Sequence, residues 1–525
     1  MLEAYRIARR LSRMGSLPCL ALACCLALNA GAARAAPAGE AVQQIREFRA
    51  AHERTILHEL AHLLAIPNVA SDRRNIRRNA EAIAVMLRQR GLTPQLLEPA
   101  GTTDVPPLVY AQWKVPAAKR TLVLYAHYDG QPVNPAEWIT PPFTPTLRTR
   151  PATEGGAVIA PDSPGAINDE TRLYARGAGD DKAGVMVILS ALEALRALHR
   201  QPTDNLIIAF EGEEEAGSPH LAQILNAHRA LFDAQLWVIC DGPVHPSGRI
   251  EITYGARGDM NADLTVYGAI RALHSGHYGN WAPNPALRLA RLLASMKDEK
   301  GHVTIAGWYD GIAPLGPRER RALAEAARYD GGIRNELGLA APESTWSLPQ
   351  AVMLPSLNIN GMRSANVGSE AANVIPATAT AVLDMRLVVG NDPHEQFEKL
   401  RAYVRSQGYY VIDREPTQAE RLAHPLIATL KLRPGIYAAA RMPMSDPFAL
   451  AIAGAVGSAT SQPPLEMPSS GGSLPLSVIK QALGTPSMVV SIANFDDNQH
   501  AANENLRLGN LWTGIDAYTA LLLHP

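Results

Sequence analysis

Cysteine is scarce: there are four in 525 residues, and Cys19, Cys24 and Cys25 all fall in the first 25 positions. Once such a leader is removed only Cys240 remains, so no intramolecular disulfide is available and stability has to come from packing. Excess charge is lacking too. The 49 basic and 50 acidic residues nearly cancel, which excludes a field able to gather nucleic acid or anionic lipid. Beyond the leader, no apolar run is long enough to span a membrane.

The leader has the parts of a cleaved secretory signal. Arg6, Arg9, Arg10 and Arg13 precede an apolar stretch from Leu17 to Leu28, and Ala33-Arg34-Ala35 offers small residues for cleavage. Export to the periplasm or medium is the expectation, with residues 1–35 removed. Lipidation at Cys24 or Cys25 is the lesser reading, because Ala21 stands where a lipoprotein signal usually has Leu. The remaining chain of roughly 490 residues is long enough for two to four domains.

What is present is acid at the ends of apolar strands. Leu206 to Phe210 is a buried-strand pattern that ends in Glu211, Glu213, Glu214 and Glu215. Carboxylates this crowded repel one another unless a cation sits among them, although the peptide alone reads equally as a solvated acidic loop. Three further runs break the tie. Thr121 to Ala126 leads into His127 and Asp129, Gln235 to Cys240 into Asp241, and Ser487 to Ile492 toward His500. In an open α/β sheet, ligands gather beyond the carboxyl ends of the strands.

One motif competes. The first helix, Ala41 to Ala65, contains His58-Glu59-Leu60-Ala61-His62, the His-Glu-x-x-His pattern of zinc proteases. At 100° per residue, however, Ile56, Leu57, Leu60, Leu63 and Leu64 form the apolar stripe, and the two histidines fall nearly opposite it. No nearby third ligand completes such a site, so a solvated face is expected.

In chain order, Ser71 or Asp72 caps a second helix that ends before Gly91, and strands follow around Leu108 to Lys114 and Thr121 to Ala126. Residues 132–168, rich in Pro and Gly, read as a long irregular segment. Gly177 to Lys182 precedes an apolar helix from Ala183 to Leu198, where capping explains one aspartate of Asp180-Asp181 but not the cluster with Lys182. Ser218 is expected to open the next helix. From about Ile250 strands and helices alternate irregularly, as in an inserted α+β domain. The expected layout is a first catalytic part at 41–244, an inserted lid and dimerisation domain at 245–442, and a second catalytic part at 443–525. The fold class is α/β, a doubly wound catalytic domain interrupted by that insertion.

Five motifs in this order resemble the zinc metallopeptidase family of carnosinase, bacterial glutamate carboxypeptidase and aminoacylase. They are His127-x-Asp129, Gly179-Asp180-Asp181-Lys182, Glu214-Glu215 before Ala216-Gly217-Ser218, Asp241, and His500-x-x-Asn503-Glu504. Tyr125 to Pro132, Glu211 to Ser218 and Ile252 to Gly258 look most like the carnosinase-type dipeptidases. The resemblance covers nearly all of the chain after the leader. It implies two divalent ions per subunit, zinc or else manganese or cobalt, bridged by Asp180. One is held also by His127 and Asp241, the other by Glu215 and His500. Asp129 would orient His127, and Glu214 would be the general base.

The resemblance also places His274 across a homodimer in the partner subunit's site, where residues alone would suggest only a histidine in a loop. Asn373, Arg386, Gly472 and Ser473 would bind substrate, with Arg386 clamping a terminal carboxylate. Ala183 and Asn280 depart from the usual glycines, and the segment between Asp129 and Asp180 is longer than in most relatives, with the extra residues around Thr153 to Asn168. The implied activity is hydrolysis of dipeptides or of C-terminal residues. An N-acyl-amino-acid amidohydrolase is the alternative within the same chemistry, and a metal-binding protein without activity is the alternative outside it.

Overall fold

The computed structural model describes residues 38–524 apart from 100, 102–103, 117 and 161–166, so the leader lies outside the described residues. Chain order gives β1 (Gln95–Leu97), β2 (Leu108–Trp113), β3 (Thr121–His127), β4 (Asn205–Glu211), β5 (Leu236–Ile239) and β6 (Glu251–Thr253). The inserted sheet follows as β7 (Gly258–Tyr267), β8 (Ser356–Arg363), β9 (Thr378–Leu387), β10 (Tyr410–Ile412) and β11 (Ile427–Leu432). The chain then returns with β12 (Leu465–Met467) and β13 (Ser487–Val490).

The larger sheet runs β1-β2-β4-β3-β5-β13-β6-β12, and its four central strands, β4, β3, β5 and β13, are parallel. Parallel strands are buried on both faces, and the sequence of β3 satisfies both. Leu122, Leu124 and Ala126 face a core with the helices Ala38–Leu64, Lys182–Ala197 and Leu508–Leu522. Val123 and Tyr125 face a second core with the helices Leu221–Ala227 and Leu476–Leu483. Each fully buried Leu or Ile in these layers stabilises by about 1.5–3 kcal/mol. The sheet is therefore held rigidly enough to present its strand ends as fixed points.

The inserted sheet, β8-β9-β7-β11-β10, has its own core. Along β7 and β9 buried residues alternate with partly exposed ones, the signature of an antiparallel sheet covered on one face. That face packs on the helices Pro285–Ala294 and Pro393–Ser406.

Three expectations change. β6, expected in the insertion, pairs parallel with β12 and antiparallel with β13, so it belongs to the larger sheet. Residues 132–168 are not wholly irregular, since Thr146–Arg148 and Val158–Ile159 pair as short strands beside Arg172–Tyr174. Ser218 does not open the next helix. It sits in a left-handed conformation at φ 48°, and the helix begins at Leu221 after an N-cap His220. On the first helix, Ile56, Leu57, Leu60, Leu63 and Leu64 are buried while His58 and His62 are exposed.

Candidate metal centre

The strand ends deliver the predicted side chains to one place. His127 is the last residue of β3, Asp241 lies two residues past β5, and Glu213 to Glu215 follow β4 directly. Asp180 enters from the turn before the Lys182–Ala197 helix. In that turn Asp181 caps the helix by accepting from the Gly184 N–H at 3.1 Å and also accepts from the His127 N–H at 3.1 Å. Lys182 is fully buried and donates to the carbonyls of Leu63 and Ile66 at 2.8 and 2.9 Å, which ties the turn to the end of the first helix. With Asp181 and Lys182 engaged in this way, Asp180 is left to face the site.

His127 Nε2 lies 2.8 Å from Asp180 Oδ1 and 3.6 Å from Asp241 Oδ2. His500 Nε2 lies 3.2 Å from both Asp180 Oδ2 and Glu215 Oε2. The ligand atoms of His127, Asp180 and Asp241 all fall within 4.8 Å of one another, as do those of Asp180, Glu215 and His500, and Asp180 belongs to both groups. Each set mixes imidazole and carboxylate, which fits zinc, manganese or cobalt. These residues could therefore hold two cations that share Asp180.

The electrostatics ask for such charge. Burial pushes the Asp241 carboxyl up to about 7, with His127 pulling against it and Asp180 and Glu215 adding to it. Glu215 is also raised, by burial first and then by Asp180. Asp180 is buried as well, but hydrogen bonding from His127 and His500 outweighs burial and holds it well below the usual carboxylate range. His500 is raised to about 10 by its bonds to Asp180 and Glu215. In the protein alone the histidines carry out part of the neutralisation that cations would perform.

Asp129 sits behind this cluster as a hub. Its Oδ1 is 3.3 Å from His127 Nδ1, and it accepts the backbone N–H groups of Glu214 and Glu215 at 3.1 and 3.0 Å. One carboxylate thus orients a candidate ligand and fixes the backbone of both glutamates. Glu214 belongs to neither ligand group. Burial pushes its carboxyl well above the usual range, His127 opposes this, and Asp241, Glu215 and Asp129 reinforce it.

A cavity of about 790 Å³ opens over the cluster, and Glu214, Arg386, Gly472 and Ser473 line it together with Asp180, Glu215, Asp241 and His500. Arg386 Nη1 donates to Ser473 Oγ at 3.0 Å, and its Nε lies 3.3 Å from Asp384 and 3.8 Å from Asp259. His274 and Asn373 do not line this cavity. They adjoin each other on the exposed surface of the insertion, where His274 pairs with Val374 and the Ser275 N–H donates to the Asn373 carbonyl at 2.9 Å.

Sequence reasoning missed several neighbours. Gln131 donates to Glu215 Oε2 at 2.7 Å and Gln499 to Asp180 Oδ2 at 2.8 Å. Each stands within two residues of a residue already singled out, which was the available signal. Tyr437, Asp259 and Glu251 also line the cavity and had no sequence signal of their own.

Comparison with known proteins agrees with this arrangement. Residues 123–524 match the profile of peptidase family M20/M25/M40. The chain is 26% identical over 427 residues to the Cys-Gly metallodipeptidase dug1 of Schizosaccharomyces pombe, covering 79% of this chain and 82% of the relative. It is 26% identical over 438 residues to the human Beta-Ala-His dipeptidase, covering 82% and 80%. Among solved structures, an M20 family metallo-carboxypeptidase from Sulfolobus solfataricus superposes with a TM-score of 0.72 at 25% identity, over 89% of this chain and 98% of that one. Human carnosine dipeptidase 1 shares the fold, with a TM-score of 0.69 at 21% identity, over 92% of this chain and 99% of that one. The chain belongs to peptidase family M20/M25/M40, and it is a metallopeptidase of that family's fold.

Proposed function

We propose that this chain is a dinuclear metallopeptidase that hydrolyses the amide bond of dipeptides or of C-terminal residues, with Glu214 as general base. The observation that carries this reading is the position of Glu214. It lines the cavity beside both ligand groups, belongs to neither, and is fixed through its backbone by Asp129. Burial raises this carboxyl's affinity for a proton, which suits it to take one from water and return it.

His127, Asp180 and Asp241 would hold one divalent ion, and Asp180, Glu215 and His500 the other. Such ions supply Lewis acidity and make water nucleophilic near neutral pH. Arg386, steadied by Ser473, offers a guanidinium fork to the substrate's terminal carboxylate. Glu214 accepts a proton from the attacking water as its oxygen bonds to the carbonyl carbon. It then returns that proton to the nitrogen as the C–N bond breaks. The test is hydrolysis by metal-reconstituted protein of free dipeptides against N-acyl amino acids. Preference for the dipeptides supports this reading, and preference for the acyl compounds makes the protein a deacylase.

The reading includes a homodimer. His274 and Asn373 lie outside the cavity of their own chain, on a surface that also exposes Ile270 at 69% and Trp281 at 80%. A second copy seated there would cover these apolar groups and bring the pair to its partner's site. The mass in solution by light scattering tests this, and a monomer at assay concentration contradicts it. Export rests on the leader sequence, and cell fractionation tests it.

A further inference from the structure

Glu251, on β6, lines the cavity, and its carboxylate has no partner among the described residues. Its strand neighbour Ser491 donates its N–H to the Glu251 carbonyl and its hydroxyl to the Asp241 carbonyl at 2.9 Å, so the residue stands close to the reaction centre in the fold. Of the other acids lining the cavity, Glu214 is the candidate base and Glu336 is solvent-exposed, and most acids around them are engaged. Glu211 accepts from Tyr125, Glu213 from Arg73 and His220, Glu504 from Arg176, and Asp259 faces Arg386. No hydrogen bond or ion pair reaches the Glu251 side chain from any described residue.

Burial alone pushes its carboxyl up to about 7. A desolvated carboxylate without a cation is costly, and a fold keeps one where a ligand satisfies it. A metal is not that ligand, because Glu251 belongs to neither candidate metal group. Arg386 already offers the cavity's fixed positive charge to a carboxylate on the leaving half of a substrate. The complementary group for Glu251 is therefore an ammonium on the acyl half. Val244, Ile333 and Leu337 line the same cavity and give a methylene stem an apolar wall.

We propose that Glu251 is a specificity-determining residue that pairs with a primary ammonium on the acyl half of the substrate. This rests on the amide-hydrolase reading above. The ammonium has two possible sources, the α-amine of a dipeptide or the side chain of an N-terminal lysine, and one isosteric series separates them. Lysyl-alanine carries both amines, norleucyl-alanine only the α-amine, 6-aminohexanoyl-alanine only the terminal amine, and hexanoyl-alanine neither.

The experiment compares the metal-loaded wild type with Glu251→Gln on all four. Turnover is read as kcat/KM, or as an inhibition constant where turnover is below detection. The expected result is a loss of about tenfold or more on the substrates whose ammonium Glu251 meets, with hexanoyl-alanine unchanged. Loss on norleucyl-alanine assigns the α-amine, and loss on 6-aminohexanoyl-alanine assigns the side chain. Equal change on all four, or no change on any, overturns the proposal. Wild-type protein that neither cleaves nor binds any of them overturns the amide-hydrolase reading instead. Should Glu251→Gln fail to fold, Glu251→Met removes the same charge at similar length and is read in the same way.

Discussion

Glu504 holds the backbone of Asp180: its Oε1 accepts the Asp180 N–H at 3.0 Å and the Gly179 N–H at 2.9 Å. The other oxygen accepts from the Gly177 N–H at 3.1 Å and from Arg176 Nη1 at 2.7 Å. A single buried carboxylate therefore fixes the turn that aims the shared candidate ligand.

Glu504→Ala should destabilise the fold by about 3–5 kcal/mol, because it strands Arg176 without its partner and frees three backbone donors. Urea unfolding measures this. A loss below about 1 kcal/mol would mean that water replaces the clamp.

Glu214→Gln should keep the fold and the bound metal while lowering kcat by about 10²–10⁴. Metal analysis and turnover on the same preparation check both halves. Near-wild-type turnover removes Glu214 from the proton-transfer role.

Arg386→Ala should raise KM for substrates with a free C-terminal carboxylate and leave those with a C-terminal amide little changed. Losing a charge-assisted pair of this kind costs about 1.5–3 kcal/mol, or roughly 10- to 100-fold in kcat/KM. Equal losses on acid and amide substrates would assign Arg386 to the architecture of the cavity instead.

Glu251 should also leave a mark on stability. Its folded-state value of about 7 lies above the ordinary 4.5, so between those pH values the folded protein binds more protons than the unfolded chain. Stability falls as pH rises through that window, and the loss is complete above about 7. Glu251→Gln should match the wild type near pH 4 and exceed it at pH 8 by on the order of 1–3 kcal/mol. A constant difference across that range contradicts the assignment.

His127, Glu215 and Asp241 were legible because each stands at or just past the end of an apolar run whose strand is buried on both faces, His500 because such a run leads toward it, and Asp180 because capping does not explain its cluster with Asp181 and Lys182. The alternation along β7 and β9 was legible for the complementary reason, since one face of that sheet is covered and the other is not. β6 was not assignable to its sheet because three residues carry no periodicity, and its place is decided by pairing with β12 and β13, more than 200 residues away. Glu251 was hidden by the same shortness, since one acid in a strand reads as solvent-facing. Ser218 misled because its residue type favours a cap, while the turn after Glu215 places it at positive φ and its N–H bonds to the Glu213 carbonyl. His274 and Asn373 had only the family resemblance behind them, and their position outside the cavity of a single chain could not be read from local pattern.

The most direct test of the dinuclear centre is anomalous diffraction from crystals grown with zinc, recorded on both sides of the zinc absorption edge. The account predicts two peaks about 3.5–4 Å apart, one beside His127 and Asp241, the other beside Glu215 and His500, with Asp180 touching both. A single peak, no peak at Asp180, or zinc bound instead at His58 and His62 would contradict it.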